Sequence, residues 1–229
     1  MKSFACSIFL FIFFCLSGNL FSQHTYSGLE KVYGSDPLLF NGKKYDFFPP
    51  LGTSGHQYLV STEEISGRVT IKGITFENIM LNYDIYNQEL LLSYTESAES
   101  STLIQVSKAW LESFYLEDRY FEKCSFEEET RFYQVLGSDT LKVLYFWKKY
   151  FELDKSFGSK NFSFSAANKN MFVLKNEVLL SFKNKRSFIA IFEPEKKSAI
   201  KAYLHNSRFK FKRADDVSMA GLIDYISNL

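Results

Sequence analysis

The sequence predicts an α+β fold, a predominantly antiparallel β body (meander, sandwich or partly open barrel) finished by two to three C-terminal helices. Three observations predict it. Aromatic residues make up 18% of the chain, led by 25 Phe and 14 Tyr, with only 4 Pro, a composition that suits pleated ribbons. Apolar residues alternate with a period of two from Gly67 to Thr95. Beyond about residue 183 the period changes to 3.6, and strands first with helices last argue helices packed at one end or face of an antiparallel sheet.

The chain of 229 residues opens like a secretory precursor. Lys2 is a short positive region, Phe4–Leu16 is an apolar run of thirteen residues, and Ser17-Gly18-Asn19 breaks it. We expect cleavage after Ser22, leaving Gln23 first. Thirteen residues are too few to span hydrocarbon. Cys15 follows the apolar run, but Ile12-Phe13-Phe14 lacks the small residue expected before a lipidated cysteine. With the leader gone Cys124 stands alone, and it reads as a small buried hydrophobe.

Residues 23–66 are punctuated by Asp36-Pro37, Asn41-Gly42 and Pro49-Pro50-Leu51-Gly52, turn signals, with short strands expected at 38–40 and 56–60. The meander follows. A turn at Lys72-Gly73 sets Ile71 against Ile74, Val69 against Phe76 and Arg68 against Glu77, with Gly73 supplying positive φ. Alternation slips at Glu77-Asn78, which calls for a β-bulge near Asn78. A second turn at Asn87-Gln88 would set Ile85 against Leu90, Tyr83 against Leu92 and Leu81 against Tyr94, pairs contributing roughly 0.2–1 kcal/mol each. Further strands are expected at 102–107, 113–116, 120–124 and 131–136. A single helical turn is expected over 108–111, a turn at Ser138-Asp139, one long strand over 140–151, and a hairpin of 171–174 with 178–182 about Asn176-Glu177.

The helical end begins at Asn184 or Lys185 and runs to Phe192. Pro194 suits the first position of a second helix reaching about Asn206, with Ala199, Ile200, Tyr203 and Leu204 inward. Residues 208–213 read as extended or a linker. Asp215 caps a last helix over 216–228, whose inward face is Val217, Ala220, Ile223 and Ile226 or a neighbouring stripe. The organisation is a signal peptide (1–22), a β-rich body (23–182) and a helical segment (183–229) packed on the same domain.

The run Gly67-x-Val69, Gly73-x-x-Phe76, Leu81-x-Tyr83-Asp84-Ile85 and Leu90-Leu91-Leu92, with Val178-Leu179-Leu180, Ile200-Lys201-Ala202-Tyr203 and Leu222-Ile223-Asp224-Tyr225, resembles a pattern in uncharacterised secreted proteins of Bacteroidetes. That resemblance implies an exported β-rich protein ending in helices, and implies no activity.

Residue types that carry chemistry are sparse. His24, His56 and His205 have no His or Cys at metal-ligand spacing, so no zinc site or cofactor is expected. Gly52-Thr53-Ser54-Gly55 is followed by His56 rather than Gly, and it reads as a loop rather than a nucleophile elbow. Asp84 reads as a structural residue or, alternatively, a catalytic carboxylate. Glu127-Glu128-Glu129 reads as a solvated loop or a hard-cation site.

Charge is the strongest asymmetry. Residues 23–174 carry fifteen Lys and Arg against twenty Asp and Glu, whereas residues 175–213 carry eleven against three. Arg208, Lys210 and Lys212 alternate with Phe209 and Phe211, and Arg213 follows. These four are the expected contacts to an anionic partner, either an envelope component such as lipid headgroups or acidic glycan, or a protein, with peripheral membrane contact. The alternative is that the basic end neutralises the acidic body or is a solvated face. Export disfavours nucleic acid. The expected role is a non-enzymatic binding or assembly module, periplasmic or associated with the outer membrane. The alternatives are an exported glycan or lipid hydrolase using carboxylates of the β body, and a carrier of a small apolar ligand.

Overall fold

The chain was analysed as a computed structural model, which describes residues 36–97, 100–126, 128–138, 141–153, 161–211 and 213–229; the leader lies outside them. In chain order the strands are β1 (Lys43–Lys44), β2 (Ile65–Ile71), β3 (Ile74–Asp84), β4 (Glu89–Ser97), β5 (Ser100–Gln105), β6 (Leu111–Leu116), β7 (Arg119–Phe126), β8 (Glu129–Ser138), β9 (Leu141–Lys148), β10 (Phe151–Leu153), β11 (Phe162–Phe164), β12 (Asn168–Lys175) and β13 (Val178–Phe182). The helices are α1 (Lys185–Ala190), α2 (Pro194–Asn206) and α3 (Asp216–Ser227). Eleven strands form one open sheet in the order β1-β5-β4-β3-β2-β6-β7-β8-β9-β12-β13, while β10 and β11 pair separately. The α+β class with C-terminal helices is the one expected, and the sheet does not close.

The first hairpin has the predicted register: Ile71 faces Ile74, Val69 faces Phe76 and Arg68 faces Glu77. Lys72 and Gly73 both have positive φ, 48° and 75°, as a tight hairpin with right-handed twist demands. Register shifts at Gly67/Arg68 because Asn78, at φ 58°, is the extra residue of the predicted bulge. The second turn corrects the expectation. Leu81 pairs with Leu92 and Tyr83 with Leu90, two residues away from the predicted register, because the turn holds Ile85–Gln88 rather than Asn87-Gln88 alone. The Asp84 carboxylate accepts from the backbone N–H of Tyr86 and Asn87 at 2.8 Å each, and the Gln88 amide returns to Ile85 O at 2.7 Å. A slip of two keeps every side chain on its face, so the core is unchanged.

Other corrections are local. Residues 37–40 form a turn and 56–60 lack a strand, although Tyr58 makes an isolated bridge to Asp84; β1 lies instead at 43–44. The long strand expected over 140–151 ends at Lys148. Lys149 turns away, its N–H reaching Ile85 O, and β10 continues in the small sheet. The turn expected at Ser138-Asp139 runs into residues outside those described. The last hairpin turns at Asn176-Glu177, as predicted, with φ 50° and 64°.

Register places one row of side chains across eight strands: Phe76, Val69, Phe114, Phe121, Gln134, Tyr145, Met171 and Phe182. Seven are apolar or aromatic, and Phe114 and Phe121 stack with centroids 4.7 Å apart. Burying each such side chain stabilises by about 1.5–3 kcal/mol. Under the first half of this face lie Leu39 and Leu59; under the second half lie the helices, through Phe188, Ile200, Leu204 and Ile223. Gln134 is the polar member of the row. It accepts from Trp147 Nε1 and donates to Asp216 Oδ2, both at 2.7 Å, so it anchors the first turn of α3. That anchor fixes the helix rotation: Met219, Leu222, Ile223 and Ile226 point inward while Val217 is 82% exposed. The inward face is therefore the neighbouring stripe, and Val217 is not in it.

Caps define the helices. Asn184 Oδ1 accepts from Ser187 N at 3.0 Å, and Ser187 Oγ accepts from Asn184 N at 3.1 Å, a reciprocal cap. Pro194 takes the first helical position of α2 and Asp215 caps α3 through Ser218 N at 2.8 Å, both as predicted. Among the described residues no helix is long and apolar enough to cross a membrane.

Candidate functional site

Asp84 is fully buried, and its environment accounts for it. Besides the two backbone donors of the turn, its Oδ2 accepts from Asn87 Nδ2 at 2.7 Å and from the Tyr45 hydroxyl in a very short hydrogen bond. Burial, and then the Asp84 carboxylate, push the Tyr45 hydroxyl far above the usual phenol range. Four donors saturate this carboxylate, and Tyr45 and Gln57 cover it. The arrangement locks the β3–β4 turn to the segment after β1, with no open position for a substrate.

The other predicted chemistry-bearing residues do not converge with it. Glu129 pairs with Arg131, Glu128 is exposed, and Glu127 lies outside the described residues. His24 also lies outside them. His56 stacks on Tyr58 with centroids 6.0 Å apart, and its carbonyl takes the Lys149 ammonium at 2.7 Å. Burial, then the charge of Lys149, lower the His56 pKa. Ser54 exchanges backbone hydrogen bonds with Phe162 and Phe164 and no helix follows it, so 52–55 is a loop. Among the described residues no group of three or more His, Cys, Asp or Glu is placed to hold a metal.

Cys124 is half-buried, and burial, with Glu122 next, pushes its thiol up to about 11, against the opposing pull of Lys142. Only the thiolate attacks. Alkylation by iodoacetamide at pH 8 is therefore expected to run on the order of a hundredfold slower in the folded chain than in denaturant. Equal rates in the two states would show that the thiol is not held this way.

The basic end has a definite shape. Lys197, Lys201 and His205 recur every fourth residue on α2, so they share one face, rising about 12 Å along the axis. Across from them stand Lys185 and Arg186 of α1. These five line a groove of about 740 Å³ together with Ile189, Ala190 and Ala202, and among the described residues no carboxylate lines it. None of its four Lys and Arg side chains has an ion-pair partner among the described residues. Of the nearby acids, Glu193 is taken by Lys175, whose hydrogen bond holds that carboxyl below its ordinary range.

The predicted contacts follow in the chain, after His205 at the end of α2. The segment after α2 is turned rather than extended: Phe209 N reaches Leu204 O at 3.1 Å and Arg213 N reaches Lys210 O at 2.8 Å. The alternation nevertheless holds. Phe209 and Phe211 turn inward, Phe211 against Phe182 and Phe188, while Arg208, Lys210 and Arg213 are exposed. Lys212 lies outside the described residues. Sequence reasoning passed over Lys185, Arg186, Lys197 and Lys201 individually, although the spacing of 197, 201 and 205 was a usable signal. No protein family, curated protein or solved structure matches this chain.

Proposed function

We propose that this chain is an exported, non-enzymatic binding protein of the cell envelope, whose helical end docks on an anionic membrane surface. The observation that carries the reading is the cationic groove of α1 and α2, whose Lys and Arg side chains have no ion-pair partner among the described residues, with exposed Arg208, Lys210 and Arg213 following in the chain. Its charge is distributed along two helices and the following turn rather than focused on a point, which suits a sheet of headgroups more than a single acidic side chain. Each cation near an anionic bilayer contributes about 1 kcal/mol. The leader-like N-terminus, Lys2 followed by an apolar run, supports export. The hydrolase alternative loses its foremost carboxylate, because Asp84 is committed to the turn.

Sedimentation with vesicles tests the reading. The purified protein is expected to bind phosphatidylglycerol-containing vesicles and to ignore pure phosphatidylcholine, with binding falling as salt rises. Lys197→Glu with Lys201→Glu is expected to weaken partitioning on the order of a hundredfold. Equal binding to both vesicle types, an unaffected double variant, or retention on immobilised polyglutamate without vesicle binding would each overturn the membrane reading.

A further inference from the structure

Apart from that groove, a cleft of about 810 Å³ opens between β9, β12, β13 and the turn after α2. Its walls include Met171, Phe182 and Phe211, and three lysines line it: Lys169 from β12, Lys148 at the end of β9 on the opposite face of the sheet, and Lys183 just beyond β13. No carboxylate lines it among the described residues. We infer that this cleft is a binding site for a small amphipathic oxyanion, a carboxylate or phosphate head carried on an apolar body.

Lys169 sets the charge that a ligand of this cleft must carry. It is half-buried, its ammonium lies 3.8 Å from the centroid of the Tyr145 ring and 5.4 Å from that of Trp147, and no ion pair compensates it among the described residues. Half-burying an ammonium with no carboxylate in contact is costly, and ring faces offset only part of that cost. Burial lowers its pKa, opposed by the charges of Asp216 and Asp215 and with Arg119 adding to the lowering. An oxyanion in the cleft would neutralise Lys169 while Met171, Phe182 and Phe211 take the apolar body. The volume is that of ordinary small-molecule sites, whose walls are mainly apolar with a few convergent polar groups.

This site shares no residue with the α1–α2 groove, so the two readings stand or fall separately. Trp147, under Lys169, is a built-in reporter. With Trp110→Phe it is the sole tryptophan. Titration of that variant with dodecanoate and with dodecyl phosphate, both below their critical micelle concentrations, is expected to change Trp147 emission saturably for at least one head group; which one binds identifies the oxyanion. Lys169→Met is expected to raise the midpoint about tenfold, and Lys148→Met with Lys183→Met to raise it as well, while Lys197→Glu with Lys201→Glu leaves it unchanged. Should Lys169→Met fail to fold by circular dichroism, the Lys148 and Lys183 pair decides. Equal affinity for uncharged dodecanol, no saturable change with either anion, or indifference to the lysine substitutions would overturn the inference.

Discussion

Asp84→Ala is expected to destabilise the protein by roughly 3–5 kcal/mol, the range for removing one partner from a buried charged network. Alanine would leave the buried Tyr45 hydroxyl and the half-buried Asn87 amide and N–H groups of Tyr86 and Asn87 without their acceptor. Each buried donor left unsatisfied costs about 1–3 kcal/mol, offset in part by local rearrangement. A domain stable by about 5–15 kcal/mol loses a large fraction of its margin to such a change. Asp84→Asn should be milder, because one amide oxygen can still serve both backbone donors and the Tyr45 hydroxyl can reverse to accept from the new amide. Tyr45→Phe removes one donor and leaves three, with an expected loss of about 1.5–3 kcal/mol. Urea unfolding of the three variants orders them. An alanine variant within about 0.5 kcal/mol of the parent, the range of ordinary surface substitutions, would show that the network does not hold the turn.

The same network explains what could and could not be read from the sequence. Ile71 and Ile74 flank a two-residue turn with positive φ, so local pattern alone set the first hairpin. At the second turn Asn87-Gln88 looked equally suitable, but the carboxylate at Asp84 caps the chain two residues earlier, and its partner Tyr45 is 39 residues away. Likewise the alternation through Phe151 promised a continuous strand; what ends it is a hydrogen bond from Lys149 to Ile85, invisible to any local window. The helices were legible because Asn184, Pro194 and Asp215 mark their starts. For the candidate sites, net charge singled out residues 175–213, the segment that holds Lys185 and Lys201. It could not assemble Lys185 with Lys201 across two helices, or bring Lys148, Lys169 and Lys183 around one cleft from three separate segments. Such convergence comes from topology, which composition does not carry.

Gly67 shows how strictly that topology binds one residue. It lies in β2, between β3 and β6 near the middle of the sheet, at the register shift that answers the Asn78 bulge. A Cβ there would meet Tyr115 O at 2.4 Å and Leu81 Cδ1 at 2.9 Å. The leucine could rotate, but the carbonyl belongs to the β6 backbone and cannot move without parting the strands. Tyr115 itself is held from above by the Arg68 guanidinium, 4.0 Å from its ring centroid, so the obstruction is anchored on both sides. Overpacking typically costs 1–3 kcal/mol where side chains can give way. With backbone as the obstacle, Gly67→Ala is expected to cost about 3 kcal/mol or more, and Gly67→Val to prevent accumulation of folded protein. Ser66→Ala, next in the strand but exposed, should change stability by no more than about 0.5 kcal/mol. Thermal and urea unfolding of the alanine variants check the contrast. A Gly67→Ala protein as stable as Ser66→Ala would mean that β2 and β6 can separate at this point, and the central pairing on which both halves of the core depend would need to be redrawn.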